Sequence, residues 1–215
     1  MAVEAKICGL KTAETVAAAV THGAAMIGLN FFKRSPRSVE PEAAGVLGRL
    51  IPPQVLKVGL LVDDDDARIA AILAAAPLDL LQLHGSETPE RVAAIKARFG
   101  LPVMKVIKVK DAADIARAAE FEGVADRLLF DAQPPAAMKN ALPGGNAVCF
   151  EWDLLKGFRS SLPWMLSGGL TPANLAEAVN RSGTRAVDVS SGVEDQPGEK
   201  NINKIKDFLE VARAL

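Results

Sequence analysis

Two reactive side chains stand at the ends of short apolar segments of this sequence. Cys8 ends the segment 5–8 and precedes Gly9, and Asp131 ends the segment 128–131 before a long stretch without clear periodicity. A carboxylate that closes an apolar segment below a long loop is often functional, and a thiolate can be a reactive group, either as a base or as a nucleophile. For the thiol this role requires a pKa below its reference value of about 8.5. The alternatives are a small buried packing residue at Cys8 and a loop cap at Asp131.

Two segments rich in glycine and serine near the C-terminus predict a phosphate site. Gly168 and Gly169 follow the seventh apolar segment, and Ser190, Ser191 and Gly192 follow the eighth. Backbone N–H groups and hydroxyls in such segments can bind an oxyanion, and barrels often bind phosphate after strands seven and eight. The alternative is that both segments are only tight turns. The ligand implied is a small molecule that carries a phosphate.

Other polar residues are open to more than one interpretation. Arg37 could bind a substrate carboxylate through its guanidinium, or it could be a solvated arginine beside two other basic residues. His84 either contacts the ligand or holds its loop. The acidic run 63–66 suggests a metal at first sight, but acids favour a helix N-terminus, so no metal is predicted. Cys149, beside two aromatic residues, is interpreted as a packing residue.

Apolar segments alternate with helical patterns along the chain, and these elements must position the reactive side chains. The predicted strands are 5–8, 25–31, 55–62, 78–83, 102–109, 128–131, 163–166 and 186–189. The predicted helices are 12–21, one with Pro41 in its first turn, 67–76, one begun by Thr88 and Pro89, 112–120, 151–157, one capped by Thr171 and Pro172, and one from 201 to the C-terminus.

Eight strand–helix units predict parallel pairing and can close into a (β/α)₈ TIM barrel, an α/β fold. The alternative is a doubly wound open sheet, but no G-x-G-x-x-G follows the first strand. In a barrel the active site lies at the C-terminal ends of the strands. Strands one and six lie three apart on a ring of eight, so Cys8 and Asp131 can face each other across the mouth.

Composition limits the class of protein. A chain of 215 residues, of which 49% are hydrophobic, is expected to form one domain over residues 1–215. The formal net charge of −1 argues against a nucleic-acid-binding surface. The sequence shows no signal peptide and no apolar stretch long enough to span a bilayer, so no membrane partner is predicted. Two cysteines favour a reducing, cytoplasmic location. The chain could be a monomer or a homodimer.

Seven motifs in order resemble phosphoribosylanthranilate isomerase of tryptophan biosynthesis, and the resemblance covers almost the whole chain. They are KICG at 6–9, the segment 32–37 with Ser35 and Arg37, QLHG at 82–85, LFD at 129–131, GG at 144–145 before FEW at 150–152, LSGGLTP at 166–172, and VDVSSGVE at 187–194.

This resemblance implies a (β/α)₈ isomerase of amino-acid biosynthesis that needs no cofactor. The expected reaction converts N-(5-phosphoribosyl)anthranilate to 1-(2-carboxyphenylamino)-1-deoxyribulose 5-phosphate by an Amadori rearrangement. In that reading Cys8 is the general base, Asp131 is the general acid and Arg37 holds the anthranilate. Four positions depart from the family's usual pattern: Lys33, Ser38, Ala147 and Glu151.

Four rival readings remain at this point. A metal-dependent pentose-phosphate epimerase would need two histidines at the mouth, where only His84 is expected. A histidine-pathway isomerase would use aspartate in place of Cys8, and a Schiff-base aldolase would need a lysine such as Lys57 or Lys105, neither of which ends its strand. A catalytically silent binding protein would have lost the acid–base pair, and both members are present.

Overall fold

The computed structural model describes residues 2–135, 137–138 and 141–215. Eight parallel strands form a closed barrel, in which the first strand pairs with both the second and the eighth. The strands are β1 (Glu4–Cys8), β2 (Met26–Asn30), β3 (Leu56–Leu61), β4 (Leu80–Leu83), β5 (Val103–Val109), β6 (Arg127–Ala132), β7 (Trp164–Leu166) and β8 (Ala186–Val189). The predicted (β/α)₈ barrel is confirmed, and closure of the ring excludes the open sheet.

Helices connect most of the strands on the outside of the barrel. They are α1 (Ala13–Thr21), α2 (Pro41–Gly48), α3 (Asp66–Ala75), α4 (Pro89–Phe99), α5 (Ala112–Ala116), α6 (Leu175–Ser182) and α7 (Ile202–Ala214). Polar side chains cap several of them, because the first N–H groups of a helix have no intrahelical acceptor. Thr12, Asp65, Thr88 and Asn201 accept such bonds at the starts of α1, α3, α4 and α7.

Two predicted α-helices are shorter or tighter in the structure. The fifth, predicted over 112–120, ends at Ala116 and continues as a 3₁₀ helix over Arg117–Phe121. The predicted helix at 151–157 is only a 3₁₀ turn, Trp152–Leu155. In each segment the buried residues recur every third position, as in Ala118 and Phe121, or Trp152 and Leu155. A 3₁₀ helix has three residues per turn and places such residues on one face, which an α-helix does less well.

The helix predicted to start at Thr171 begins later, at Leu175. The Asn174 backbone N–H donates to Thr171 Oγ1 at 3.3 Å, and the Thr171 N–H donates to Asn174 Oδ1 at 2.8 Å. This reciprocal capping shows that the predicted cap forms, one turn ahead of the regular helix.

A small hairpin after the barrel was not predicted from the sequence. It consists of β9 (Glu194–Gln196) and β10 (Glu199–Lys200). With the 3₁₀ turn Ser191–Val193 it joins β8 to α7. The hairpin matters for the site because it carries Glu194 and Lys200 to the mouth of the barrel.

Alternate residues of each strand face opposite sides, and the two sides form separate apolar cores. The outward residues pack under the helices in one large cluster that includes Ile7, Ile27 and Phe130. The inward residues form a smaller cluster at the lower end of the barrel: Met26, Val58, Leu80, Met104, Val106, Leu129, Met165 and Ala186. Above that floor the inward positions are mostly polar, so the strands themselves deliver polar side chains to the mouth. Among the described residues, no helix is both long and apolar enough to cross a membrane.

Candidate active site

A cavity of about 700 Å³, partly open to solvent, lies at the C-terminal ends of the strands. Eight of the nine residues predicted to form the site line it: Cys8, Arg37, His84, Asp131, Gly168, Gly169, Ser190 and Ser191. The exception is Gly192. A Cβ there would lie 1.8 Å from the Leu170 carbonyl oxygen. Gly192 therefore allows the two glycine-containing loops to touch behind the cavity wall.

Cys8 is the last residue of β1 and points into the barrel, where only 4% of it is exposed. Burial raises the pKa of its thiol, and the positive charges of Lys6 and Lys200 only partly oppose that rise. The expected lowering of this pKa is therefore absent in the free protein. The thiol form predominates at neutral pH, and the two lysines are the groups that favour the thiolate.

Asp131 lies on β6 and contacts His84 at the end of β4. Its Oδ2 atom is 3.2 Å from His84 Nε2, and its Oδ1 atom accepts a hydrogen bond from the Ala132 N–H at 3.0 Å. His84 Nδ1 in turn lies 3.3 Å from Gln82 Nε2. His84 thus lines the cavity and contacts the carboxyl group of Asp131. Its predicted role, a contact to the ligand or a hold on its loop, stays a prediction.

Gly144, in the loop after β6, covers this acid and histidine. A Cβ at Gly144 would lie 2.6 Å from His84 Cε1 and 2.8 Å from Asp131 Oδ2. Only glycine fits there without displacing one of them. This part of the loop therefore covers Asp131, and its close approach depends on the absence of a side chain at Gly144.

Arg37 is buried at the mouth, and its guanidinium faces another residue of this chain. Nε and Nη2 each donate to Glu194 at 2.8 Å, and Nη2 also donates to the Gly145 carbonyl at 3.1 Å. Lys200 Nζ reaches the same carboxylate at 2.6 Å. The guanidinium that was predicted to bind a substrate carboxylate thus binds Glu194 through Nε and Nη2. Among the described contacts only Nη1 is left to face a ligand.

Burial and neighbouring charges shift the pKa of two members of this cluster. Burial lowers the pKa of Lys200, and Glu194 only partly opposes that fall. Burial raises the pKa of Glu194, but Arg37 and Lys200 more than offset that effect, so the pKa of Glu194 lies below its ordinary value. Two cations and one carboxylate leave a net positive charge at the mouth. Such a charge attracts an anionic ligand.

The glycines after β7 have backbone angles that suit an anion site. Gly168 and Gly169 have φ of 93° and 64°, a region that favours glycine. In the part of the chain that the structure describes, their N–H groups have no assigned backbone acceptor. Packing also limits both positions, because a Cβ on Gly168 would meet the Ala132 nitrogen at 2.8 Å and one on Gly169 would meet Cys149 Sγ at 2.3 Å.

Four charged residues near Cys8 and Arg37 were missed by the sequence reading: Lys6, Asp188, Glu194 and Lys200. Strand periodicity was an available signal for the first two. Lys6 lies two residues before Cys8, and Asp188 two before Ser190, so each shares the inward face with its neighbour. No local pattern pointed to Glu194 or Lys200, since they reach the mouth through the unpredicted hairpin.

Several other expectations are corrected or explained. Cys149 is exposed rather than packed, and its Sγ lies 3.6 Å from the Gly169 carbonyl oxygen. The acidic run is a helix start, as predicted: Asp65 caps α3, while Asp63 accepts from the Ser86 N–H at 2.7 Å. Among the described residues no cluster of three potential metal ligands occurs.

The positions that depart from the family pattern lie in loops. Ala147 has φ of 55°, where glycine would be unstrained. Glu151 forms an exposed ion pair with Arg181 at 2.9 Å. The backbone of Ser38 forms an isolated parallel β-bridge with Asn30, and Lys33 is exposed. None of these side chains lines the cavity.

Comparison with known proteins decides the family. The model of the family described as N-(5'phosphoribosyl)anthranilate (PRA) isomerase matches residues 5–211. The N-(5'-phosphoribosyl)anthranilate isomerase of Paramagnetospirillum magneticum is 56% identical over 213 residues, which cover 99% of this chain and 98% of that protein. The chain belongs to the PRA isomerase family. It is therefore an isomerase, as the motifs implied.

Solved PRA isomerases share the fold throughout. One, in complex with reduced 1-(o-carboxyphenylamino)-1-deoxyribulose 5-phosphate, has a TM-score of 0.83 at 32% identity and covers 99% of this chain and 100% of its own. Another structure is of monomers generated from the dimeric PRA isomerase of Thermotoga maritima. It has a TM-score of 0.82 at 31% identity with the same coverage of 99% and 100%.

Proposed function

We propose that Cys8 and Asp131 carry out the two proton transfers by which this PRA isomerase converts N-(5-phosphoribosyl)anthranilate to 1-(2-carboxyphenylamino)-1-deoxyribulose 5-phosphate. One observation carries the proposal: a thiol from β1 and a carboxyl group from β6 line the same cavity at the barrel mouth. The reaction is an Amadori rearrangement. It needs one group to donate a proton to oxygen and another to remove a proton from carbon.

Asp131 is the general acid in this mechanism. Its proton goes to the ring oxygen of the aminosugar as the C1'–O bond breaks, and the nitrogen lone pair forms the protonated Schiff base. His84, 3.2 Å from Oδ2, holds the carboxyl group in one orientation. Gly144 excludes water from above by packing on both side chains.

Cys8 is the general base in the next step. The Schiff base acidifies the neighbouring C2'–H, the thiolate takes that proton, and the C–H electrons form the double bond of an enolamine. The enolamine then tautomerises to the ketone. Since burial raises the pKa of Cys8, the thiolate depends on nearby positive charge from Lys6 and Lys200.

The ends of the substrate are proposed to bind at opposite sides of the cavity. Arg37 offers Nη1 and the net positive charge of its cluster to the anthranilate carboxylate. The N–H groups of Gly168 and Gly169, with the hydroxyl of Ser191, supply hydrogen bonds for the phosphate. The Ser190 hydroxyl lies in the same wall, where it donates to the Cys8 carbonyl and accepts from Lys200, each at 3.2 Å. Gly192 supports that site from behind and does not face the ligand.

Two further expectations remain proposals. We infer that the protein is a monomer or a homodimer, in keeping with the dimeric and monomeric forms of the Thermotoga maritima relative. A cytoplasmic location is supported by two cysteines that are both free.

Loss of either proposed catalytic group tests this mechanism. We expect Cys8→Ala and Asp131→Asn each to lower kcat by about 10²–10⁴-fold with little change in KM, because each group acts in the transition state. The measurement is a steady-state fluorescence assay with freshly prepared phosphoribosylanthranilate.

Matched controls separate the chemistry from general damage. Cys149→Ser changes the other cysteine, and Asp126→Asn changes a carboxylate at the opposite end of β6; both should keep kcat within about threefold. Near-parental turnover in Cys8→Ala or Asp131→Asn would remove that residue from its role.

A further inference from the structure

Lys6 lies inside the barrel directly below Cys8. The two residues are two positions apart on β1, so their side chains point to the same face of the strand. Lys6 is 0% exposed, which is rare for a lysine. The mechanism above invokes only its charge, so the burial of this lysine beneath the thiol needs a separate explanation.

The Lys6 ammonium and the Cys8 sulfur lie next to one another beside Gly28. A Cβ placed on Gly28 would be 2.8 Å from Cys8 Sγ and 3.1 Å from Lys6 Nζ. Cys8 Sγ and Lys6 Nζ therefore both lie within 3.1 Å of the same point, the position of that Cβ, so the sulfur and the ammonium are close to each other. The missing side chain of Gly28, the β2 partner of Cys8, is what leaves room for both.

Asp188 on β8 fixes the position of the ammonium. Lys6 and Asp188 are paired in register across β1 and β8, and Nζ lies 2.8 Å from Oδ1. The other oxygen of Asp188 accepts a hydrogen bond from Ser167 Oγ at 3.1 Å. Burial lowers the pKa of Lys6, but Asp188 and Cys8 more than offset it, so this pKa lies above its ordinary value and the lysine stays charged.

We propose that Lys6 is a positioning residue whose ammonium, held by Asp188, stabilises the thiolate form of Cys8 and so sets the fraction of enzyme able to abstract a proton. This inference rests on the proposed role of Cys8 as the base. A charge-stabilised thiolate is the form that removes a proton from carbon. Lys6 itself touches no substrate atom in this mechanism.

Other charged groups also face Cys8. Asp188 opposes the thiolate and Lys200 favours it, while Arg37, His84 and Asp131 line the same cavity. Lys200 is committed to Glu194 at 2.6 Å, which already neutralises part of its charge. Lys6 is the cation with the largest effect on Cys8. Its removal should therefore move the titration of Cys8 more than any other single change of charge.

The test follows thiolate formation directly, in a Cys149→Ser background so that Cys8 is the one remaining cysteine. Ultraviolet absorbance of the thiolate and the rate of iodoacetamide alkylation are measured against pH, with mass spectrometry to locate the label. In Lys6→Met we expect the titration midpoint to rise by about one pH unit or more, and alkylation at pH 7 to slow by about tenfold or more. The pH profile of kcat/KM should shift by the same amount.

A double variant, Lys6→Met with Asp188→Asn, guards against simple misfolding. It removes the whole ion pair and leaves no uncompensated buried charge, so it should fold where the single variant is unstable. The midpoint of the Cys8 titration should remain above the parental value in this double variant. Lys105→Met, which removes a buried lysine on the outer side of the barrel, should leave the midpoint unchanged.

The outcomes separate this inference from the proposed function. Parental midpoints in both the single and the double variant would overturn the role of Lys6, even with Cys8 confirmed as the base. A raised midpoint together with full turnover of Cys8→Ala would instead overturn the role of Cys8.

Discussion

Two buried lysines lie on opposite faces of the barrel sheet, and their ion pairs have different surroundings. Lys6 lies inside the barrel, 2.8 Å from Asp188, and Lys105 on β5 lies outside it, 2.6 Å from Glu87. Both are almost fully buried. Burial lowers the pKa of each. At Lys6 the effects of Asp188 and Cys8 outweigh burial, whereas at Lys105 those of Glu87 and Asp63 do not.

The difference shows that a buried ion pair takes its role from its location. Lys105 donates to the Gly85 carbonyl at 2.8 Å, and Glu87 accepts from the Asp63 N–H at 3.0 Å, so this pair joins the loops after β3 and β4. Lys6 has the sulfur of Cys8 beside it instead. The outer pair organises loops, and the inner pair is placed to act on the chemistry. The position of Lys105 outside the barrel also argues against the aldolase reading.

Breaking the outer pair should give a large loss of stability. We expect Lys105→Met to lower the free energy of unfolding by about 3–5 kcal/mol, because Glu87 is left buried without its cation. The kcat of the folded enzyme should stay within about threefold of the parent. Urea unfolding and the fluorescence assay measure the two quantities. A large fall in kcat at unchanged folding would mean that the outer pair also serves catalysis.

The cluster at the mouth differs from both lysine pairs, because one carboxylate, that of Glu194, binds two cations there. Glu194→Gln should cost about 2 kcal/mol of stability at neutral pH, since hydrogen bonds to a charged partner are lost. The pKa of Glu194 is lower in the folded state, so its contribution is present above its unfolded pKa and is lost as pH falls through the folded value.

This gives a pH signature that urea unfolding between neutral and strongly acidic pH can follow. The gap in stability between the parent and Glu194→Gln should narrow as pH falls below about 4.3, the ordinary range of a glutamate. Glu199→Gln, which changes an exposed glutamate in the same hairpin, should keep the stability at neutral pH within about 0.5 kcal/mol of the parent. A constant gap for Glu194→Gln would contradict its linkage to Arg37 and Lys200.

An exposed network should show the smallest effect. Arg181 bonds to Glu151 at 2.9 Å and to Asp153 at 2.8 Å, but these carboxylates are open to solvent. Water screens such pairs, so we expect Arg181→Ala to shift Tm by no more than about 2 °C. A larger shift in a thermal melt would indicate that stacking of Arg181 on Trp152 matters more than the charges.

The comparison also shows which residues of the site could be predicted from the sequence. Cys8 and Asp131 were found because each ends an apolar strand, and a parallel barrel gathers such ends at one mouth. The neighbours of Arg37 were not found. Glu194, which binds its guanidinium, and Lys200, which shares that carboxylate, lie more than 150 positions away, in a hairpin whose short strands carry little local signal.

The sequence by itself determined the order of strands and helices, the closed barrel and the positions of the two reactive groups, because periodicity and capping act over a few residues. Only the tertiary structure decided what surrounds those groups. It placed Lys6 and Asp188 beneath Cys8, turned the guanidinium of Arg37 toward Glu194 and set His84 against Asp131. Burial and charge act through space, and closing the barrel brings together residues that are far apart in the chain.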